Sequence, residues 1–511
     1  MAAKRKRSDA QSAALRKTPK PAAGTDASTA TNNNASTSTS ADPASIAVQI
    51  VVGSYDHTLH GVIASISPKR AAKDESRTRF TDTFLYQAHT SAIRCLALSP
   101  LPSLDKSSAT PQSDPKKQVY LASGGTDERI NLYSLSACPP PETSSANLPA
   151  TLPSLSGNRV VEDPANRELG SLLHHYSTIN ALCFPNRSKL LAAADDNTIS
   201  VTRTKDWNVV ATIKAPRPRV QGRPTGDTAP LGGTPMGVNS FAVHPSMKLM
   251  LSVGKGEKAM RLWNLVTGKK AGILNFNRST LEKIKESKYT TGEGRVIVWN
   301  TTGEEFAVAF ERGVVVFGID SEPKCFALPQ PLTKVHMIKY LSLDQSTSGE
   351  ESSSDVLVIS TEDGRVLFYS TATGDNAQTD DDTPSAQLLA YAAGKEAGQT
   401  TRVKAFEILK PSAWKDQYLM ITCGSDGAIR LWELDVARLT NFLKSDNKKS
   451  ETVPSISTLI GAYETRSRLT CLAAFVMLPA EERDEDAEDD LDSESESSEV
   501  SDDSSDDSES E

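Results

Sequence analysis

A strand–turn–strand pattern recurs along the middle of this chain and limits what it can fold into. Each copy has an apolar strand, an acidic turn residue, an apolar residue three positions later and, in most copies, an aromatic residue six positions later. The turn acids are Asp127, Asp196, Glu257, Asp363 and Asp426. Alternation of apolar and polar residues with a period of two predicts strands, and turn residues between two such runs predict hairpins. We therefore expect an all-β domain built of repeated hairpins.

The repeats also predict how the chain closes. Seven units can be placed, at residues 47–66, 89–135, 175–214, 234–267, 272–320, 333–372 and 401–434. The first unit lacks its opening strand, whereas residues 459–475 look like an opening strand without a unit. Pairing the two ends would remove two exposed sheet edges, so we predict one closed domain over residues 46–478. The polar stretches then become loops, at 101–118, 137–167, 215–235, 373–398 and 442–455.

Two tails of opposite charge flank this domain. Residues 1–45 contain almost no large apolar side chain, so they cannot bury enough surface to fold and are predicted to be disordered. Within them Lys4, Arg5, Lys6 and Arg7 form a basic cluster typical of a nuclear localisation signal. Residues 479–511 are also predicted to be disordered, because 481–511 holds 18 acidic residues and one basic residue. Serines beside these acids suit acid-directed kinases.

The spacing of the cysteines and the hydropathy of the chain disfavour zinc-binding, disulfide-linked and membrane-spanning proteins. The six cysteines are scattered and never form a CxxC pair, which favours buried free thiols over zinc sites or disulfides. No apolar run approaches the ~18 residues that a membrane span requires. We therefore expect no membrane association, and no cofactor.

One histidine lies in a pattern that has two interpretations. His89, Ser123 and Asp127 could form a catalytic triad, or they could join Tyr133 in a structural hydrogen-bond network. The pattern returns incompletely in other units, where Ala192 replaces the serine and Gln399 the histidine. A triad needs all its members, whereas a structural network tolerates losses, so we favour the network and expect no enzyme. The predicted network residues are His89, Ser123, Asp127, Tyr133, His175, Asp196, Glu257, Trp263, Asp363, Thr422, Asp426 and Trp432.

The stretch "SVGKGEKAMRLWNLVTGKK" resembles a phosphate-binding loop at first sight. A P-loop requires GxxxxGK[ST] before a helix, but Gly268 and Lys269 are followed by Lys270 between predicted strands. We therefore predict hairpin turns and no nucleotide site. Candidate partner contacts are Trp207, Lys255, Lys258, Lys269 and Lys270. The alternative is that the lysines are merely solvated and that Trp207 packs over the next repeat unit.

Specific stretches carry a resemblance to a known family. The runs "AHTSAIRCLALSP" and "HHYSTINALCFPN" before the acidic turns resemble WD40 repeats, each of which forms one propeller blade. The segments "ADDNTISVTRTKDW" and "HPSMKLMLSVGK" with "RLWNLVTGKKA" are similar to the p21-activated kinase-interacting protein 1-like WD40 family, whose fungal members are ribosome biogenesis factors. Thr234 stands where that family carries a histidine, and residues 272–398 match weakly.

The resemblance implies a seven-bladed WD40 β-propeller and a function. It implies a non-catalytic nuclear and nucleolar scaffold for maturation of the 60S ribosomal subunit and its rRNA. Pre-60S proteins and rRNA would be its partners, and it would act as a monomer within a large assembly. Other family members bind and restrain a p21-activated kinase, which is the alternative. A ubiquitin-ligase receptor is disfavoured, because "WNLV" and "WELD" stand where such receptors carry WDxR.

Overall fold

The computed structural model describes eleven stretches of the chain. They are residues 45–67, 77–102, 118–140, 163–217, 236–286, 290–343, 354–372, 384–412, 414, 417–444 and 453–479. They contain 28 strands in seven four-stranded antiparallel sheets. The predicted basic cluster at residues 4–7, Thr234 and both predicted tails except Ser45 and Pro479 lie outside the described residues.

Each sheet is one blade, and its strands run in order from the innermost to the outermost. Blade 1 contains β28 (Leu469–Val476), β1 (Ile46–Ser54), β2 (Thr58–Ile66) and β3 (Thr78–Gln87). Blade 2 contains β4 (Ile93–Leu98), β5 (Gln118–Gly125), β6 (Ile130–Ser136) and β7 (Arg167–Leu172). Blade 3 contains β8 (Ile179–Asn186), β9 (Lys189–Ala194), β10 (Thr198–Arg203) and β11 (Val209–Lys214). Blade 4 contains β12 (Val238–Val243), β13 (Leu249–Gly254), β14 (Ala259–Asn264) and β15 (Lys269–Asn275).

The other three blades follow the same order. Blade 5 contains β16 (Val296–Trp299), β17 (Glu305–Ala309), β18 (Val314–Gly318) and β19 (Pro323–Ala327). Blade 6 contains β20 (Val335–Leu343), β21 (Ser354–Thr361), β22 (Arg365–Ser370) and β23 (Gln387–Ala393). Blade 7 contains β24 (Val403–Leu409), β25 (Gln417–Gly424), β26 (Ala428–Asp435) and β27 (Ser457–Glu464). Two short helices, α1 (Arg278–Lys283) and α2 (Val436–Lys444), lie between strands. No helix in the described stretches is long and apolar enough to cross a membrane.

The innermost strands of the seven blades form a closed ring. Each one contacts the innermost strand of the next blade, and β28 contacts both β24 and β4. The predicted seven-bladed propeller is therefore confirmed. We call the face where these strands begin, and where the acidic turns lie, the mouth face.

Blade 1 closes the ring by joining the two ends of the chain. The register of β1 and β28 runs from Val48↔Val476 to Gly53↔Cys471, so the predicted pairing of the ends is confirmed. The prediction that residues 459–475 form one strand is wrong. A turn around Arg466, which has a φ of 60°, separates β27 from β28, and the two strands belong to different blades.

The hydrophobic core lies between blades, because each sheet packs a neighbour on both faces. The middle strands therefore carry continuous apolar runs, as in Val314–Phe317, where all four residues are buried. Trp432, Phe368 and Leu439 belong to one such cluster, which joins blade 6, blade 7 and α2. Burying both faces of a sheet makes each blade depend on its neighbours for stability.

Two predicted boundaries are wrong in the middle of the chain. The repeat pattern places the fifth unit at 272–320, but residues 269–275 form the outermost strand of blade 4 and blade 5 spans 296–327. The predicted loop at 373–398 contains β23. Neither β15 nor β23 follows an acidic turn of the repeat, so the repeat pattern had nothing to align.

Candidate functional site

The predicted network of blade 2 is assembled on the mouth face. His89 Nδ1 donates to Asp127 Oδ1 (2.9 Å), and His89 Nε2 accepts from Ser123 Oγ (2.8 Å). Tyr133 adds a hydrogen bond to Ser123, although burial is the largest cause that raises its pKa to about 12. Gly125 lies beneath the pair, where an added Cβ would come within 2.7 Å of His89 Nδ1.

The order Ser–His–Asp resembles a catalytic triad, but its setting is that of a structural network. Ser123 is 0 % exposed and the His89 side chain is equally inaccessible, so no substrate carbonyl could reach Oγ. Blade 3 repeats the arrangement, with His175 bonded to Asp196 (3.1 Å) and to Ser200 Oγ (2.8 Å). A buried network that recurs in successive blades ties each acidic turn to its sheet.

Ser200 corrects one of the sequence-based predictions. Ala192 holds the position where blade 2 has its serine, but the hydroxyl comes instead from Ser200, on the next strand. His174 also reaches Ser200 Oγ (2.8 Å), and its ring lies 4.5 Å from that of His175. Burial, followed by the neighbouring His175, lowers the pKa of His174 to about 4, which keeps it neutral at pH 7.

Blades 4 and 7 keep the tryptophan and replace the histidine. Trp263 Nε1 donates to Ser252 Oγ (2.8 Å), and Trp432 Nε1 donates to Thr422 Oγ1 (2.9 Å). An arginine now holds the turn acid. Arg261 pairs with Glu257 in blade 4, and Arg430 pairs with Asp426 (2.8 Å) in blade 7 while donating to Gln399 Oε1 (3.0 Å). Ser252, Arg261 and Arg430 were missed, because the repeat pattern predicts a histidine as the partner of the turn acid.

Blade 6 uses a further variant of the same contact. Arg365 Nε donates to Asp363 Oδ2 (2.7 Å) on the turn. Burial alone would raise the pKa of Asp363, but the hydrogen bonds of Arg365 and Thr361 hold it below its ordinary value. Tyr369, the aromatic residue of this blade, donates to the carbonyl of Leu328 (3.0 Å).

The network of blade 3 predicts a pH dependence of stability. Burial would raise the pKa of Asp196, but hydrogen bonds from His175 and Thr198 lower it from 3.8 to about 2. A carboxyl whose pKa falls on folding stabilises the native state above its unfolded pKa and loses that effect as the pH falls through its folded pKa. The thermal midpoint of Asp196→Asn should therefore lie below wild type above pH 4 and converge on it near pH 2. Equal midpoints at pH 6 would contradict this, and Asp56→Asn, on the exposed surface, serves as control.

The four candidate partner-binding lysines lie at two opposite ends of blade 4. Lys255 and Lys258 lie on the turn of blade 4 at the mouth face, whereas Lys269 and Lys270 are exposed at the opposite end of that sheet. Lys255 Nζ pairs with Asp195 of blade 3 (2.5 Å), so it joins two blades.

Trp207 also makes a contact between blades. Its ring meets Tyr120 edge-on (5.6 Å), and it packs on the cluster between blades 2 and 3. Trp207 of blade 3 thus packs over the preceding blade, blade 2. The structural alternative considered from the sequence predicts packing over the next blade instead.

A repeated irregularity shapes the mouth of the central channel. In six blades the register of the innermost strand shifts just after its first residue, which leaves one extra residue unpaired in a β-bulge. The bulge residues are Arg94, Asn180, Asn239, His336, Lys404 and Thr470. Three of them bond the start of the next blade: Thr470 to the Ile93 carbonyl (2.7 Å), Asn180 to the Val238 carbonyl (2.9 Å) and Asn239 to the Gly294 carbonyl (2.9 Å).

The other three bulge residues are basic or titratable and lie in a positively charged arc. We define the basic arc as Arg94, Arg295, Lys334, His336, Arg402, Lys404 and Arg468, which begin the innermost strands of blades 5, 6, 7, 1 and 2. Glu311 pairs with Arg295 and Lys334, and Glu362 pairs with Arg402.

Besides burial, repulsion between neighbouring cations of the arc contributes to the lowered pKa values of Lys404 and His336. Arg94, Lys404 and Arg468 make no ion pair with any described residue. Burial first, and then Arg402 and Arg468, lower the pKa of Lys404. Burial and four nearby cations lower the pKa of His336 to about 4. Excess like charge at a concave surface attracts an anion.

No cluster of metal-ligating side chains lies within the described stretches. All six cysteines are free, with Cys325, Cys423 and Cys471 buried and the others half-buried. Burial raises the pKa of Cys471 to about 12, so this thiol is neutral and unreactive at pH 7.

The fold and the charged mouth face together define the class of protein as a WD40-type β-propeller. The family model described as "WD domain, G-beta repeat" matches residues 166–202, which run from the start of β7 into β10.

Comparison with curated relatives shows which members of this class the chain resembles. The chain is 25% identical to a zebrafish (Danio rerio) p21-activated protein kinase-interacting protein 1-like protein, covering 86% of this chain and 82% of that one. It is 26% identical to Protein MAK11 of Saccharomyces cerevisiae and 25% identical to Shk1 kinase-binding protein 15 of Schizosaccharomyces pombe, each over 76% of this chain and 78% of the relative. The resemblance to the p21-activated kinase-interacting protein 1-like proteins is therefore confirmed.

Proposed function

We propose that this chain is a non-catalytic scaffold in the nucleolar assembly and rRNA processing of the 60S ribosomal subunit. The basic arc carries this proposal. A precursor of the large subunit is rich in phosphate, and a rigid crescent of cations at a channel mouth suits a polyanionic assembly. Family resemblance supports the same role. Pre-60S proteins would contact the other loops of the mouth face.

The rigidity of the mouth face is what a scaffold requires. The acidic turns of blades 2, 3, 4, 6 and 7 are held by buried or half-buried histidine or arginine partners. Adjacent blades are further joined by Lys255–Asp195 and by the bulge side chains of blades 1, 3 and 4. Loops fixed in this way lose little entropy on binding, so several partners can be held in one geometry.

The proposal is tested by depleting the protein from its own cells and rescuing it with variants. Depletion should accumulate large-subunit rRNA precursors and reduce 60S subunits, as measured by northern blots and sucrose gradients. Wild type and Lys269→Gln/Lys270→Gln, on the opposite face, should rescue. Arg94→Gln/Lys404→Gln/Arg468→Gln should rescue poorly. Normal precursor and 60S levels after depletion would refute the assignment.

Nuclear localisation belongs to the same proposal. The basic cluster of Lys4, Arg5, Lys6 and Arg7 supports it. A fluorescent fusion should concentrate in the nucleolus, and replacing all four residues by glutamine should move it to the cytoplasm. Unchanged nuclear accumulation of that variant would remove this signal from the proposal.

A second candidate function is regulation of a p21-activated kinase. It is favoured by the names of the relatives, which describe p21-activated protein kinase-interacting and Shk1 kinase-binding proteins. Purified full-length chain should then bind a purified p21-activated kinase and reduce its phosphorylation of a peptide substrate. Absence of binding between the purified components would exclude this role.

A further inference from the structure

The mouth face has a half-open depression where blades 1 and 2 meet. Its volume is about 340 Å³, within the usual range of small-molecule sites. Its walls include Tyr55 and His57 from the β1–β2 turn, Arg94 from the bulge of β4 and Thr470 from the bulge of β28. The depression therefore lies at one end of the basic arc. We call it the Tyr55 pocket.

Tyr55 presents an aromatic ring to solvent from a hydrogen-bonded turn. The residue is 56% exposed. The Tyr55 N–H donates to the Arg468 carbonyl (2.8 Å), and the His57 carbonyl accepts from the N–H groups of Ala88 and His89. His57 has a φ of 68°, a conformation that these contacts maintain. The backbone that carries the ring is thus held in place before any partner arrives.

Two arginines lie close to this ring or in the same pocket. The Arg468 guanidinium lies 5.6 Å from the Tyr55 ring centroid, and Arg94 lines the same pocket. Both arginines are exposed and form no ion pair with a described residue. From Arg468 the arc continues to Lys404, whose pKa the charge of Arg468 helps to lower. Asp56, on the same turn, is exposed but does not line the pocket.

We propose that the Tyr55 pocket and the adjoining arc bind single-stranded RNA. One base stacks on Tyr55, while Arg94, Arg468 and Lys404 hold successive phosphates. An exposed aromatic ring beside a track of cations is the combination that single-stranded nucleic acids require. An acidic polypeptide would use the cations but would leave the tyrosine and the pocket without a role. This inference rests on the proposed function and names the ligand of the mouth face.

Fluorescence anisotropy with a labelled, mixed-sequence single-stranded RNA of about 20 nucleotides tests it. The full-length chain is used throughout, so the basic N-terminal segment contributes equally to every variant. Arg94→Gln/Arg468→Gln should weaken binding and reduce the slope of log affinity against log salt by about 1.4, since each phosphate contact contributes about 0.7. Tyr55→Ala should weaken binding roughly 5- to 150-fold with an unchanged slope, because stacking releases no counterions.

Matched control variants test whether the RNA binds at the mouth face. Lys269→Gln/Lys270→Gln removes the same charge from the opposite face and should leave affinity and slope near wild type. Asp56→Asn removes a negative charge beside the pocket and should tighten binding slightly. Unfolding midpoints of all variants, measured by circular dichroism, identify any that have lost their fold, and Tyr55→Phe, which keeps the stacking ring, should bind as wild type.

Three results would overturn the inference. The first is RNA affinity and salt slope that are unchanged in both Arg94→Gln/Arg468→Gln and Tyr55→Ala. The second is equal weakening by the Lys269/Lys270 variant, which would mean binding by overall charge. The third is binding of a labelled polyglutamate, sensitive to Arg94→Gln/Arg468→Gln, with no RNA binding. RNA binding with normal 60S levels after depletion would refute only the cellular role, and a 60S defect without RNA binding only this inference.

Discussion

Deletion of residues 469–511 should abolish folding of the propeller. This deletion removes β28, which is the innermost strand of blade 1 and contacts β4 and β24 on either side. The truncated chain would expose the edge of β1 and lose the buried side chains of Leu469, Leu472 and Phe475 from the packing between blades. An apolar edge of that kind is a site of aggregation. The expected result is insoluble protein, or soluble protein without a cooperative thermal transition in circular dichroism.

The matched control is deletion of residues 480–511, which keeps β28 and removes most of the predicted acidic tail. This shorter deletion should leave the thermal midpoint near that of the full-length chain. A soluble, cooperatively folding 1–468 fragment would show that the other six blades do not need the closing strand.

Trp432→Ala should produce the largest loss of stability from a single substitution. Trp432 is completely buried between blades 6 and 7, and its Nε1 donates to Thr422 Oγ1 (2.9 Å). Replacement by alanine leaves a large cavity and a buried hydroxyl without its donor, so we expect a cost of about 3–5 kcal/mol. The midpoint of urea unfolding, followed by circular dichroism, measures this cost.

Two further variants separate the contributions of Trp432. Trp432→Phe keeps much of the ring volume but loses the hydrogen bond, and should cost about 1–3 kcal/mol. Tyr176→Ala truncates a side chain that is 84% exposed and should leave the midpoint unchanged. A wild-type midpoint for Trp432→Ala would contradict the conclusion that this residue stabilises the packing between blades.

The sequence predicted the second and third strands of a blade wherever they flank an acidic turn, but not every outermost strand, since β23 of blade 6 lies in a predicted loop. Asp127 and Asp426 have a fixed spacing to the strands around them, because each is bonded to partners on its own blade. Blade 5 lacks such a turn acid, and its predicted unit included part of β15 from blade 4 and left out its own outermost strand, β19. Ser200 was missed because it lies on the third strand of blade 3. The equivalent serine of blade 2, Ser123, bonds His89 from the second strand.

The basic arc could not be predicted from the sequence, because its members are distant along the chain. Arg94 and Lys404 belong to blades 2 and 7, and only closure of the ring brings them to one mouth. A local signal does exist. Each bulge residue directly follows the buried Ile, Val or Leu that opens an innermost strand, as in Ile93–Arg94 and Val403–Lys404. That signal can be recognised once the blade register is known.

The bulges have a consequence for how such proteins diversify. A bulge residue takes no part in the ladder, so its side chain can change without altering the pairing that builds the blade. Thr470 and Asn180 use this position to bond a neighbour, whereas Arg94 and Lys404 use it to charge the channel. The ring therefore offers a circle of nearly independent positions, at which the electrostatics of one surface can evolve while the architecture beneath it stays constant.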